Sequence, residues 1–150
     1  MDKEMNDLYY VCSLIEFIGR MIKNRNSDII KILGKEELKR QLYLAEVNHC
    51  LSFEQVASEL IDEFGIENGD FDSIGRCRYK IPSYTSIGGV YRDLVLDVMK
   101  QGENEQSIVD VMYEVFTSFM SDEISDFNTS TYYENPSYIY HSYRVGKLLD

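Results

Sequence analysis

A nearly continuous apolar stretch opens the pattern. From Leu8 to Ile22 the positions Leu8, Val11, Ile15, Ile18 and Ile22 recur in steps of three and four, the period of an α-helix, and Tyr9, Tyr10, Cys12, Leu14, Phe17 and Met21 fill the flanks. Only Ser13, Glu16, Gly19 and Arg20 interrupt it. A helix apolar on almost every side belongs in the interior, so this one is expected to be the central element around which the chain packs. It is shorter than the roughly 20 apolar residues of a membrane span, and it holds Glu16 and Arg20. It also lacks the basic start and small-residue end of a secretory leader.

Further along, Asn26 or Ser27 can cap a short helix carrying Ile29, Ile30, Ile32 and Leu33, with Gly34 as its stop. Lys35 to Cys50 then reads as an amphipathic helix with Leu38, Leu42, Ala45 and His49 on one stripe and Lys35, Glu36, Lys39 and Arg40 on the wet side. Ser52 with Gln55 forms a capping box, with Leu51 placed to staple against Val56, before the apolar face of Val56, Ala57, Leu60, Ile61 and Phe64, and Gly65 ends that helix. Residues 66–86 lose the helical period, and Cys77 to Ile81 is the one stretch there that could pair as a strand. The period returns with Ile87, Val90, Tyr91, Leu94, Val95, Val98 and Met99 up to Gly102. It continues in a helix through Ile108, Val111, Met112, Val115, Phe116, Phe119 and Met120 that could reach Asn128. Asn135-Pro136 is a cap followed by a first-turn proline, which predicts a last helix from Pro136 to about Leu148. The expected fold is all-α: a single-domain bundle of six or seven helices around the apolar N-terminal one, with an irregular loop region near 66–86.

Composition sharpens this in two ways. The 150 residues carry a net charge of -11, and the excess lies entirely beyond residue 50. Glu54 to Asp72 holds seven acids and no base, and Gln101 to Tyr143 holds eight acids and no base. Such a surface repels nucleic acid and anionic lipid, and serves either solubility or the steering of a basic partner. Cys12, Cys50 and Cys77 are an odd count at unrelated spacings, which predicts reduced thiols in a cytoplasmic protein.

No catalytic motif stands out. Glu46 and His49 are one helical turn apart, as in half of a di-iron site, but no second copy exists, so no metal and no cofactor are expected. A partly buried helix-end histidine and a core cysteine account for His49 and Cys50. Asp70 and Asp72 beside Gly69 lack the spacing of a calcium loop and read as a solvated acidic turn. Ser86, Gly88 and Gly89 match no phosphate-binding fingerprint. Arg76-Cys77-Arg78-Tyr79-Lys80 is a basic island, expected to fold back onto the chain's own carboxylates rather than to dock an acidic partner. Tyr132, Tyr133, Tyr138, Tyr140 and Tyr143 crowd the C-terminus, and suit an interface or helix packing with hydroxyls at the surface.

Tyr10 to Arg20, Gly69-Asp70-Phe71-Asp72, Ile87-Gly88-Gly89-Val90-Tyr91 and Tyr132-Tyr133-Glu134-Asn135-Pro136-Ser137-Tyr138 together resemble a family of bacterial all-helical proteins without an assigned chemistry. The resemblance covers nearly the whole chain and transfers no catalytic residue. It implies a companion of an ADP-ribosyltransferase-fold protein, in an arrangement similar to a toxin-antitoxin operon.

The leading expectation is therefore a protein-binding module, an antitoxin-like subunit that neutralises a partner toxin by occlusion. Tyr132, Tyr133, Tyr138 and Tyr143 would anchor the contact and Asp70, Asp72, Glu123 and Asp126 would steer it. The alternatives are an acidic mimic of nucleic acid that inhibits a DNA-binding or phage-defence protein, and, third, an enzyme using Glu46, His49 or Cys50.

Overall fold

The computed structural model describes residues 2–102 and 106–150, and over them the secondary structure is helical with no strand. The acidic run that begins at Gln101 includes Glu103 and Glu105, which lie outside the described residues. The elements are α1 (Asp2–Ile22), α2 (Asn26–Asn48), α3 (Phe53–Phe64), α4 (Tyr84–Gln101), α5 (Ile108–Phe116), α6 (Phe119–Ser125), a 3-10 turn (Thr131–Tyr133) and α7 (Pro136–Val145). One apolar core draws side chains from all seven helices.

α1 is the central element. Leu8, Val11, Cys12, Leu14 and Ile18 are fully buried, each such aliphatic side chain contributing roughly 1.5–3 kcal/mol. The helix lies most extensively against α4, then against α2 and α3. The approach to α4 is close because Gly88 faces Ser13: a Cβ at Gly88 would sit 2.8 Å from the Ser13 Cα and would collide with its hydroxyl. Gly89, one position on, faces only the Arg92 guanidinium at 3.6 Å and the Tyr9 ring at 3.8 Å.

The caps of Ser52, Ser83, Ser107 and Asn135 each accept a backbone N–H from the first turn that follows, and Gly65 ends α3 in the left-handed region. Elsewhere the helices differ from the expected ones. α2 is one run through Gly34, which kinks it at φ 79° instead of ending it. Its first turn is not capped by Asn26 or Ser27, because Asn26 turns inward. The long helix expected up to Asn128 breaks at Thr117-Ser118, whose hydroxyls donate to Tyr113 O and Val115 O, while Ser118 Oγ restarts the chain by accepting from Met120 N. These side chains supply the backbone with local partners that compete with helix continuation. α7 stops at Val145 because Gly146 takes φ 93°.

The core has a charged centre. Glu16 is 3% exposed; Arg20 Nε and Asn26 Nδ2 donate to its two oxygens, each at 2.7 Å. Asn26 approaches so closely that a Cβ at Gly19 would lie 2.7 Å from its side-chain oxygen. Burial outweighs these partners and pushes the Glu16 carboxyl above the usual carboxylate range. Nearby, the buried Tyr91 hydroxyl lies 3.0 Å from Ser121 Oγ, which joins α4 to α6, and the Tyr91 ring stacks on Phe116 at 4.1 Å.

The glycine pair gives a direct test of the α1–α4 packing. Gly88→Ala should cost about 2 kcal/mol by forcing the two helices apart, whereas Gly89→Ala should gain up to about 1 kcal/mol from helix propensity, both read by urea denaturation. Glu16 gives a test by pH. A carboxyl whose folded pKa is raised contributes stability below its unfolded value of 4.5 and loses it as the pH climbs through the raised one. Glu16→Gln keeps an oxygen for Asn26 but does not titrate. The stability of the wild type minus that of Glu16→Gln should therefore fall as the pH rises above 4.5; a difference that is flat or rises would contradict the assignment.

Candidate functional site

The irregular region after α3 is tied to the molecule at two places. At the first, the backbone N–H groups of Gly69 and Phe71 donate to the end of α1, to Ile22 O at 2.8 Å and Lys23 O at 3.0 Å. The Asn24 amide bridges Ile22 O and Glu67 O. Phe71 then lies beneath two guanidinium groups, Arg25 at 4.3 Å and Arg76 at 5.3 Å, and Asp72 accepts from Gly75 N at 2.8 Å to close a tight turn. At the second, the Asn128 side chain accepts from Arg78 N at 2.8 Å and donates to Arg76 O at 2.9 Å. A single amide thereby fills the place of a neighbouring strand. Cys77 to Ile81, the stretch expected to pair, forms no strand.

Beyond Arg78 the backbone N–H groups lose their partners. Those of Tyr79, Lys80 and Ile81 find no acceptor among the described residues, while the Tyr79 carbonyl accepts from Cys77 Sγ at 3.4 Å, and the Ser83 cap of α4 follows. Tyr79 is 65% exposed and Ile81 38%. Opposite them stands Tyr133, 68% exposed, whose ring meets Tyr132 edge-on at 4.9 Å. Tyr132 meets Phe127 edge-on at 5.6 Å, and the Arg20 guanidinium lies 5.2 Å over Phe127. A cleft of about 430 Å³ runs between Tyr79 and the Asn128–Ser130 turn, and a second of about 600 Å³ runs over Pro82, Ser86 and Val90. Lys80, Tyr132 and Tyr133 line both.

No aspartate or glutamate lines either cleft. Nor does the basic island fold onto carboxylates as expected: Arg76, Arg78 and Lys80 take part in none of the ion pairs among the described residues. The nearby cations that could compete are committed elsewhere, Lys23 to Asp72 at 3.9 Å and Arg25 to Asp122 at 3.0 Å.

Of the eight residues expected to make the contact surface, only Tyr132 and Tyr133 share these clefts. Tyr138 is partly buried and its hydroxyl donates to Leu149 O at 2.8 Å, holding the C-terminal segment on α7. Tyr143 is also packed on the core, its phenol pushed up by burial and by Glu114. Asp70 is exposed on the loop that crosses the end of α1, and Asp72 closes its own turn. Glu123 lies on α6, and Asp126 accepts from Asn128 N at 3.1 Å. Tyr79, Ile81 and Asn128 were not among the expected contact residues. The basic island around Tyr79 was the available signal, because a segment without an apolar face has no reason to bury an aromatic ring.

A third cleft, about 580 Å³, lies between the start of α1 and the end of α2, lined in part by Tyr10, Glu46 and His49. Lys3 bridges Asp7 at 2.7 Å and Glu46 at 3.4 Å. The Tyr10 hydroxyl is buried with no partner, and burial raises its pKa so that it persists as a neutral donor. His49 is exposed, not partly buried as expected, because it follows the last turn of α2 where the core has ended. No group of three His, Cys, Asp or Glu side chains among the described residues is placed to hold a metal ion. Cys12 is buried with its thiol pushed up, Cys50 is exposed and Cys77 is half-buried, all three free. No helix among the described residues is long and apolar enough to cross a membrane.

Compared with family models, with curated proteins and with solved structures, the chain matches none.

The Asn128 clamp makes its own prediction. Asn128→Ala removes the two bonds that tie Arg76 and Arg78 to the 127–133 segment and leaves Arg76 N on Asp72 O, so limited trypsin digestion should cleave after Arg78 at least about tenfold faster than in the wild type, with the helical circular dichroism unchanged. An unchanged cleavage rate would mean that the segment is held by something else.

Proposed function

We propose that the chain is a protein-binding module whose docking face is the pair of clefts around Tyr132 and Tyr133, with Tyr79 and Ile81 on the facing wall. The observation that carries this reading is the exposure of Tyr133 and Tyr79, 68% and 65%, beside clefts that Phe127, Asn128 and Tyr132 help to wall. Tyrosine supplies broad contact area at low entropic cost and keeps a polar tip, and anchors of that kind dominate binding energies in protein interfaces. The Tyr133 ring, already set against Tyr132 and through it against Phe127, loses little further freedom when a partner arrives.

The resemblance to bacterial companions of ADP-ribosyltransferase-fold proteins suggests the partner. On this reading the chain is an antitoxin-like subunit that seats these tyrosines on a transferase-fold toxin and covers its substrate site, acting by occlusion rather than by chemistry. Tyr138 and Tyr143 then serve the fold, and the carboxylates Asp70, Asp72, Glu123 and Asp126 act at most over distance.

Co-expression with the toxin should restore growth, and calorimetry on the purified pair should give a stoichiometric complex. Tyr133→Ala should weaken that complex about 30-fold, the equivalent of about 2 kcal/mol, while Tyr138→Ala should lower thermal stability and leave affinity within about threefold. A toxin that stays active and unbound would overturn the antitoxin reading. Equal loss of affinity in the two variants would overturn the choice of surface.

A further inference from the structure

The charge of the docking face is opposite to that of the molecule. The chain holds 26 acidic residues and 15 basic ones, yet the two clefts contain no carboxylate, and Arg78 and Lys80 beside them have no ion-pair partner among the described residues. The backbone at the same place is an open extended edge: the N–H groups of Tyr79, Lys80 and Ile81 and the carbonyls of Arg78, Lys80 and Ile81 have no partner among the described residues. An edge with donors and acceptors both open pairs with another polypeptide backbone, and the cations beside it select negative charge. The exposed rings of Tyr79 and Tyr133 and the side chain of Ile81 add a demand for apolar or aromatic groups between those charges.

From this we infer that the clefts receive an acidic segment of polypeptide, with carboxylates on Arg78 and Lys80 and an apolar side chain seated against Tyr132 and Tyr133. A nucleic-acid strand shares the charge and the stacking capacity, but it carries its charge continuously and must cross the surrounding surface of a molecule with net charge -11. A short acidic segment can seat on the basic island, with Glu134 and Asp126, bonded to the cleft residues Ser130 and Asn128, as the neighbouring like charges. The basic residues are also held in register, since Asn128, which lines the first cleft, bonds the backbone of Arg76 and Arg78. This inference rests on the protein-binding reading and narrows it to one partner chemistry.

The experiment is amide NMR on the full chain with three probes: the peptide Glu-Val-Glu-Tyr-Glu-Val, the same peptide with each Glu replaced by Lys, and a hexamer of uridine. The acidic peptide should shift the resonances of Tyr79, Lys80, Ile81 and Tyr133, and the effect should be lost in the charge-reversed Arg78→Glu, Lys80→Glu double variant. Arg78→Gln, Lys80→Gln, which only neutralises, should weaken binding about tenfold. Absence of shifts at these residues, or shifts of the same size with the lysine peptide, would overturn the inference. Shifts produced by the uridine hexamer and not by the acidic peptide would replace the peptide with a nucleic-acid strand. The charge-reversed variant, tested on the toxin complex, separates the two levels: a complex that is lost with Tyr133→Ala but kept with reversed charge leaves the protein-binding reading standing and removes the acidic segment.

Discussion

The carboxylate of Glu16 is the constraint on which the rest depends. A carboxyl group cannot stay at 3% exposure without partners, and the two it has, Arg20 and Asn26, fix the geometry of what lies next to them. Asn26 must leave the cap position of α2 to reach it, which sets the turn between α1 and α2 and requires a glycine at position 19. Arg20 must lie along the helix, which places its guanidinium over Phe127. Such a pair adds little net stability, because desolvation cancels most of the attraction; its effect is to make one arrangement of the surrounding helices far better than its neighbours.

From that centre the order passes outward to the clefts. Phe127 supports Tyr132, and Tyr132 supports Tyr133, each by an edge-on ring contact. One residue beyond Phe127, Asn128 holds the basic loop by two hydrogen bonds to its backbone. The proposed docking face is thus assembled chiefly from two segments about 50 residues apart, 76–82 and 127–133, with Ser86 and Val90 of α4 flooring the second cleft. Rigid backing with an unmet outer edge is the combination that favours recognition of a flexible partner, since little ordering remains to be done on this side of the contact.

Much of the fold was legible from spacing. The apolar period of α1, the Ser52 cap of α3, and the Asn135-Pro136 start of α7 are local signals, and each appears where residue type and neighbours demand it. The failures share a cause. Asn26 has a good cap sequence and a better use for its amide ten residues away; Gly34 has the residue type of a stop but sits where packing continues on both sides; Thr117 and Ser118 break a periodic run through hydroxyl bonds that hydropathy does not register. The candidate surface was half legible for the same reason. Tyrosine enrichment marked Tyr132 and Tyr133, but whether Tyr138 faces solvent or Leu149, and whether Arg78 finds a carboxylate, depends on contacts between distant segments.

The central claim is that residues 76–81 form an edge held by Asn128 at Arg76 and Arg78 and open at Tyr79, Lys80 and Ile81, and amide hydrogen exchange in the free protein tests it most directly. The Arg78 amide, bonded to Asn128, should exchange at least about a hundredfold more slowly than its intrinsic rate, while the amides of Tyr79, Lys80 and Ile81 exchange close to theirs. Protection of all four would mean that the edge is already covered, and protection of none would mean that the clamp does not hold; either result would contradict the account.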